Sequence, residues 1–137
     1  MKFLLIFLIL ANFGSPTKFK AWGNLECYQG GTWCFFAQMI ERDHFFKDDI
    51  LDTMGARCTT AVQYPYELAG SEDGDEPFHS FYKVTIKINH NCTQWGRIRS
   101  VEKKPKFIPV EQGKAEFKDV DIDLTMAPGT YTDSFFD

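Results

Sequence analysis

The chain has 137 residues, of which 44% are hydrophobic, 25% charged and 16% aromatic. That profile fits one globular domain and excludes collagen-like, low-complexity and wholly disordered chains. A formal net charge of -4 lacks the basic surface of a general nucleic-acid binder, so no nucleic acid is expected as a partner.

Met1 and Lys2 precede the apolar run Phe3–Ala11, and small and polar residues follow. One positive charge, a short apolar stretch and a small-residue exit form a secretory signal pattern. Residues 1–17 read as that signal peptide, with cleavage between Ala11 and Thr17. The run is too short for a bilayer span, which needs roughly 20 apolar residues. Losing Lys2 takes the net charge from -4 to -5. The expected localisation is secreted and extracellular. There, four cysteines point to two disulfides and not to a metal site. No cofactor is expected.

The elements follow from face parity, because side chains alternate along a strand. Phe19–Cys27 has the inward set Phe19, Ala21, Gly23, Leu25 and Cys27. Trp33–Arg42 is apolar on both faces, with Phe35, Ala37 and Met39 on one and Cys34, Phe36, Gln38 and Ile40 on the other. Such a strand is central or covered by a loop. Asp48–Met54 has Ile50 and Leu51 behind an acidic start and is the one short helix expected. Strands follow around Arg57–Val62 and Tyr66–Ala69. In Phe81–Cys92, Tyr82, Val84, Ile86, Ile88 and His90 face the core, while Lys83, Thr85, Lys87 and Asn89 face away. Arg97–Lys106 is a further strand. In Phe117–Thr125, Val120, Ile122 and Leu124 oppose Asp119, Asp121 and Asp123. Phe117 is out of phase there, which marks a bulge or a strand start. The domain therefore spans 18–127, and 128–137 reads as a flexible C-terminal tail. Short strands with turn signals at Gly30-Gly31, Gly70, Gly74, Gly96, Pro105, Pro109 and Gly113 describe an all-β sandwich or barrel.

Parity also proposes a disulfide map. Cys27 and Cys92 fall on inward positions, whereas Cys34 lies outward, with Cys58 on the strand that would pair with it. Partners must point toward each other. This favours Cys27 with Cys92 and Cys34 with Cys58. Pairing Cys27 with Cys34 across the Gly30-Gly31 turn stays open.

A series of short segments runs across most of the chain. It comprises Gly23-Asn24-Leu25-Glu26-Cys27, Glu41-Arg42-Asp43, Asp48-Asp49-Ile50-Leu51-Asp52 and Tyr66-Glu67-Leu68-Ala69-Gly70-Ser71-Glu72. Lys87-Ile88-Asn89-His90-Asn91-Cys92, Ile108-Pro109 with Gly113, and Val120-Asp121-Ile122-Asp123-Leu124 complete it. In these residues and their order the chain resembles the nematode transthyretin-like family of secreted proteins. The resemblance implies a prealbumin-like, transthyretin-type β-sandwich of seven or eight strands and an extracellular role. Cys34 and Cys58 look particular to this chain. An enzymatic relative of the fold, hydroxyisourate hydrolase, uses histidines, an arginine and a Tyr-Arg-Gly-Ser ending. This chain ends differently, in Gly129–Asp137, and has only His44, His79 and His90.

No Gly-x-Ser-x-Gly or His-Glu-x-x-His motif occurs, so no catalytic residue is expected. His90 reads as a satisfied histidine at the core edge, beside a disulfide. Glu72–Glu76 reads as a solvated hairpin tip, because it lacks EF-hand spacing. Asn91-Cys92-Thr93 is a glycosylation sequon.

Charge is blocked along the chain. Glu41–Glu76 has ten acids against three bases, Lys83–Lys106 seven bases against one acid, and Glu111–Asp137 seven acids against two bases. Arg97, Arg99, Lys103, Lys104 and Lys106, beside Phe107 and Ile108, form a candidate anion-binding patch. The plainer alternative is a face neutralised by the acidic last strand. The expected function is a secreted, non-enzymatic recognition module for an extracellular protein, a cell surface or an anionic lipid. The alternative is a homo-oligomeric carrier of a small apolar molecule, with the exposed Trp22 and Phe36 as contacts. A hydrolase ranks last.

Overall fold

The computed structural model describes residues 16–43, 47–73 and 80–137. Most of the expected signal segment, together with His44 and His79, lies outside the described residues. Within them, ten strands form two sheets, which is the all-β sandwich expected from periodicity.

In the smaller sheet, β1 (Thr17–Glu26) is the hub. It pairs antiparallel with β4 (Gln63–Glu72). On its other side it pairs parallel with β8 (Lys114–Phe117) and then with β9 (Ile122–Asp123). In the larger sheet, β2 (Trp33–Glu41) lies between β3 (Asp49–Thr59) and β5 (Phe81–His90). β5 pairs with β6 (Arg99–Glu102) and β7 (Lys106–Pro109) in succession. β10 (Thr130–Tyr131) adds to β6. β6 with β7, and β8 with β9, are thus two interrupted strands, so the ten segments follow eight strand lines.

Each interruption has a local cause. Between β6 and β7, Pro105 has no N–H to donate and breaks the ladder. The Thr85 hydroxyl donates to the Lys103 carbonyl there, and Lys103 N still reaches Ile86 O at 2.9 Å. Between β8 and β9, Asp119 adopts φ 52°, a left-handed value that Asp tolerates better than most residues. Asp121 Oδ1 then accepts from Asn24 N at 2.7 Å, taking the place of a ladder carbonyl. This break explains the phase slip in the last strand: Phe117 ends β8, buried, and parity restarts in β9.

The expected helix over Asp48–Met54 is not formed; those residues begin β3. A helix would leave the edge of β2 unpaired, whereas the strand binds it from Glu41↔Asp49 to Trp33↔Thr59. The only helical turn among the described residues is the 3-10 segment Gln94–Gly96. The strand expected over Arg57–Val62 ends at Thr59.

The core lies between the sheets. Phe19, Ala21 and Leu25 of β1 and Leu68 of β4 meet Phe35, Ala37 and Met39 of β2 and Ile88 of β5. Burying each large side chain contributes about 1.5–3 kcal/mol. β2 is apolar on both faces because it is central and because the last segment crosses its outer side. Phe136 stacks edge-on against Phe36 at 5.0 Å. Asn89 Nδ2 donates to Phe135 O, and Lys87 Nζ to Asp137 O. Residues 132–137 thus lie docked on the large sheet, a correction to the free tail expected for 128–137. Phe36 is buried rather than exposed, and Trp22 is only half-exposed.

Gly70 is required by a close approach. A Cβ there would lie 2.4 Å from Leu51 O, with no flexible group able to yield, whereas a Cβ at Gly113 meets nothing within 4 Å. Gly70→Ala is expected to cost about 1–3 kcal/mol by forcing the backbone apart, and Gly113→Ala to stay within about 0.5 kcal/mol. Urea denaturation of the two variants beside the parent measures both.

Candidate functional site

The four cysteines form two bonds, Cys27–Cys92 and Cys34–Cys58, the pairings that parity favours. Cys34 and Cys58 sit directly across from one another on β2 and β3. Cys27 and Cys92 come from opposite sheets, at the ends of β1 and β5. Around that second bond four loops converge. Cys27 N donates to Val62 O at 2.8 Å, and Tyr28 N to Thr125 Oγ1 at 2.8 Å. Thr125 Oγ1 in turn lies 3.6 Å from Cys92 Sγ. Each loop exposes one large apolar side chain: Tyr28, Val62, Trp95 and Met126. Trp95 is the most exposed at 87%. It and Gly96 both adopt φ 67°, rare for a bulky residue.

The sequon is folded into the same region. Asn91 Oδ1 accepts from Cys34 N at 2.7 Å, and the Thr93 hydroxyl donates to Arg97 O. His90, fully buried, accepts from Cys92 N through Nδ1 at 3.0 Å. Its Nε2 has no partner among the described residues. Burial, and secondarily the Arg99 charge, push its pKa down to about 4, so the ring is neutral. It lies beside the disulfide as the sequence suggested, but it is fully buried and only half satisfied, a correction to the satisfied core-edge histidine expected.

The five candidate cations divide into two groups along the interrupted β6–β7 line of the large sheet. Arg97 lies 3.7 Å over the Tyr131 ring. Arg99 donates to Tyr131 Oη at 3.2 Å and to Ala127 O. The neighbouring Arg99 guanidinium holds the Tyr131 phenol below its usual pKa. Lys103, Lys104 and Lys106 instead surround the break between β6 and β7. Between the sheets beneath them is a slot of about 30 Å³, reaching Val84, Ile86, Phe117 and Val120. That is room for little more than one water. Lys106 Nζ sits 5.3 Å over Phe117, and Phe107 beside it is 65% exposed.

The acids do not neutralise this edge. Glu102, the one acid in the basic block, is held by Arg42 through two bonds of 2.7 and 3.0 Å. Asp121 and Asp123 in the last strand accept from the backbone N of Asn24 and Thr125. No ion pair to any of the five cations occurs among the described residues.

One cluster was not visible in the sequence. Glu41, Asp49 and Glu72 bring carboxylate oxygens within 4.8 Å of one another. They come from β2, β3 and β4 and share no local motif; the only signal was the acidic start of β3. Burial, then the charge of Asp49, raises the Glu72 pKa to about 7.

Over residues 23–128 the chain matches a family described as Caenorhabditis elegans protein of unknown function (DUF870), and it belongs to that nematode family. The matched region takes in both disulfides, the sequon and all five cations. No curated protein and no solved structure matches the chain. No helix among the described residues is long and apolar enough to cross a membrane. Two disulfides fit an oxidising environment.

His90 and Glu72 make opposed contributions to stability against pH. His90 takes a proton near 6.5 when unfolded and only near 4 when folded, so the unfolded state holds more protons between those values. Stability falls as pH drops through that window, by about 3 kcal/mol at most. Glu72 binds its proton more tightly when folded, from 4.5 up to about 7, so its contribution falls as pH rises. Urea midpoints across pH 4–8 are expected to show less acid-side loss in His90→Asn. Glu72→Gln is expected to be more stable than the parent above neutrality, with the difference vanishing in acid.

Proposed function

We propose that the chain is a secreted, non-enzymatic recognition module of the transthyretin-like group whose basic edge binds an anionic extracellular surface. The observation that supports this most is the absence of carboxylate partners for Arg97, Arg99, Lys103, Lys104 and Lys106 among the described residues. Uncompensated cations on one edge attract anionic groups over roughly a Debye length of 8 Å. Exposed Trp95, Tyr131 and Phe107 stand beside them, and aromatic rings favour the headgroup level of a membrane. A phospholipid headgroup layer is the reading we adopt. The ordered sequence series and the eight strand lines support the transthyretin-like placement. The N-terminal apolar run and the two disulfides support secretion. Glycosylation at Asn91 belongs to the same reading, with Oδ1 tied to Cys34 N and Nδ2 unbonded among the described residues.

The carrier and hydrolase alternatives draw less support. The slot between the sheets of one subunit is too small for an apolar ligand, so a carrier would need a channel between subunits, and Phe36, one of its two expected contacts, is already covered by Phe136. His90 is sealed from solvent, out of reach of a substrate.

Sedimentation with vesicles tests the proposal. The protein is expected to pellet with phosphatidylserine-containing vesicles and not with pure phosphatidylcholine, and binding weakens with salt. Each basic residue near an anionic surface is worth about 1 kcal/mol. The combined Lys103→Glu, Lys104→Glu and Lys106→Glu variant should therefore lose about a hundredfold in affinity. Equal binding to both vesicle types, or an unaffected variant, overturns it.

A further inference from the structure

The outer face of the small sheet holds an open groove of about 720 Å³, within the roughly 300–1,000 Å³ of small-ligand sites. None of the five cations of the basic edge lines it, so it is independent of the reading above. Trp22 of β1 and Pro65 of β4, diagonal across the paired strands, contribute apolar surface to the lining.

Two backbone irregularities build the walls. On one side, β3 bulges: Phe35 pairs with Arg57 and Ala37 with Met54, so two residues of β3 oppose Phe36 alone. Such a bulge bends a strand and re-aims its side chains. It brings Thr53 and Arg57 to the lining. On the other side stands Asp119, held at φ 52° by the break between β8 and β9. A non-glycine residue in that region costs about 1–3 kcal/mol and clusters at ligand sites.

The chemistry of the lining selects a ligand class. Lys20 and Arg57 are balanced by Glu67 and Asp119, with Lys20 and Glu67 paired at 3.1 Å. An anion would meet the acids and a cation the bases, so the groove favours a neutral ligand. The Asp119 carboxylate and the Asn24 amide show no hydrogen bond among the described residues, and Arg57 makes only long bonds to its neighbours' carbonyls, at 3.3 and 3.4 Å. Donors and acceptors of several kinds around an indole ring match a ligand with many hydroxyls and apolar C–H faces. We propose that this groove binds a neutral saccharide, with the sugar ring against Trp22 and its hydroxyls shared among Asn24, Arg57 and Asp119.

The disulfide-intact protein should be tested on immobilised neutral oligosaccharides of two to four sugars, beside sulfated and sialylated ones. Binding to at least one neutral oligosaccharide is expected, and it should be unaltered in the Lys103→Glu, Lys104→Glu, Lys106→Glu variant. Trp22→Ala should weaken it about tenfold or more. Arg57→Gln and Asp119→Asn sit at exposed positions, and Asn tolerates the Asp119 backbone. Each should weaken binding several-fold, and they decide the matter if Trp22→Ala fails to fold. Absence of neutral-sugar binding, binding only to charged glycans, or full affinity in the folded variants overturns the proposal.

Discussion

One disulfide cross-links the small sheet to the large one. Cys27 ends β1, the hub strand of the small sheet, and Cys92 follows β5 in the large sheet, 65 residues on. Closing a loop of that length removes about 4 kcal/mol of unfolded-state entropy in the chain-entropy model. The bond also has local consequences. It fixes where the loops after β1, β3, β5 and β9 meet, because Val62 O and Thr125 Oγ1 are each tied to residues at the bridge. The exposed side chains on those loops therefore stand on a braced base. Trp95 can hold a left-handed conformation there because the Cys92 anchor and the Thr93–Arg97 hydrogen bond enclose it on both sides.

The same bridge accounts for His90. An inward position two residues before Cys92 is sealed from water, and an apolar side chain would leave Cys92 N without an acceptor. A neutral imidazole supplies one through Nδ1, and burial keeps it neutral by depressing its pKa. That satisfies one donor while leaving Nε2 without a partner among the described residues, a cost of about 1–3 kcal/mol for a buried polar group. Position and chemistry both point to an architectural role, sensitive to acid.

The sequence disclosed most where one residue's environment is set by its own strand. Parity placed Phe19, Phe35, Ile88 and His90 in the core, and it paired the cysteines, because alternation is a property of the extended chain itself. It misread Asp48–Met54, where local composition resembled a helix but the open edge of β2 demanded a strand. It expected a free tail, because nothing within 132–137 reveals that Phe36 and Asn89 will supply an apolar and a polar contact for it. The groove was equally hidden. Its parts come from β1, β3, β4 and the break after β8, and only the β3 bulge and the Asp119 backbone bring them together. The patch was legible as composition, but not as two separated groups.

Charge along the chain and charge in space are different quantities here. The acidic last strand follows the basic block in sequence, and proximity along the chain suggests mutual neutralisation. Topology prevents it. β8 and β9 cross to the small sheet to pair with β1, while β6 and β7 stay on the edge of the large sheet. The carboxylates of Asp121 and Asp123 are then used where the interrupted strand lacks ladder carbonyls. Among the described residues the cations of the opposite edge then have no carboxylate partner, and Arg97 and Arg99 engage Tyr131 instead. The two breaks thus share a consequence: one sets Lys103, Lys104 and Lys106 around Pro105, and the other sets Asp119 beside the groove.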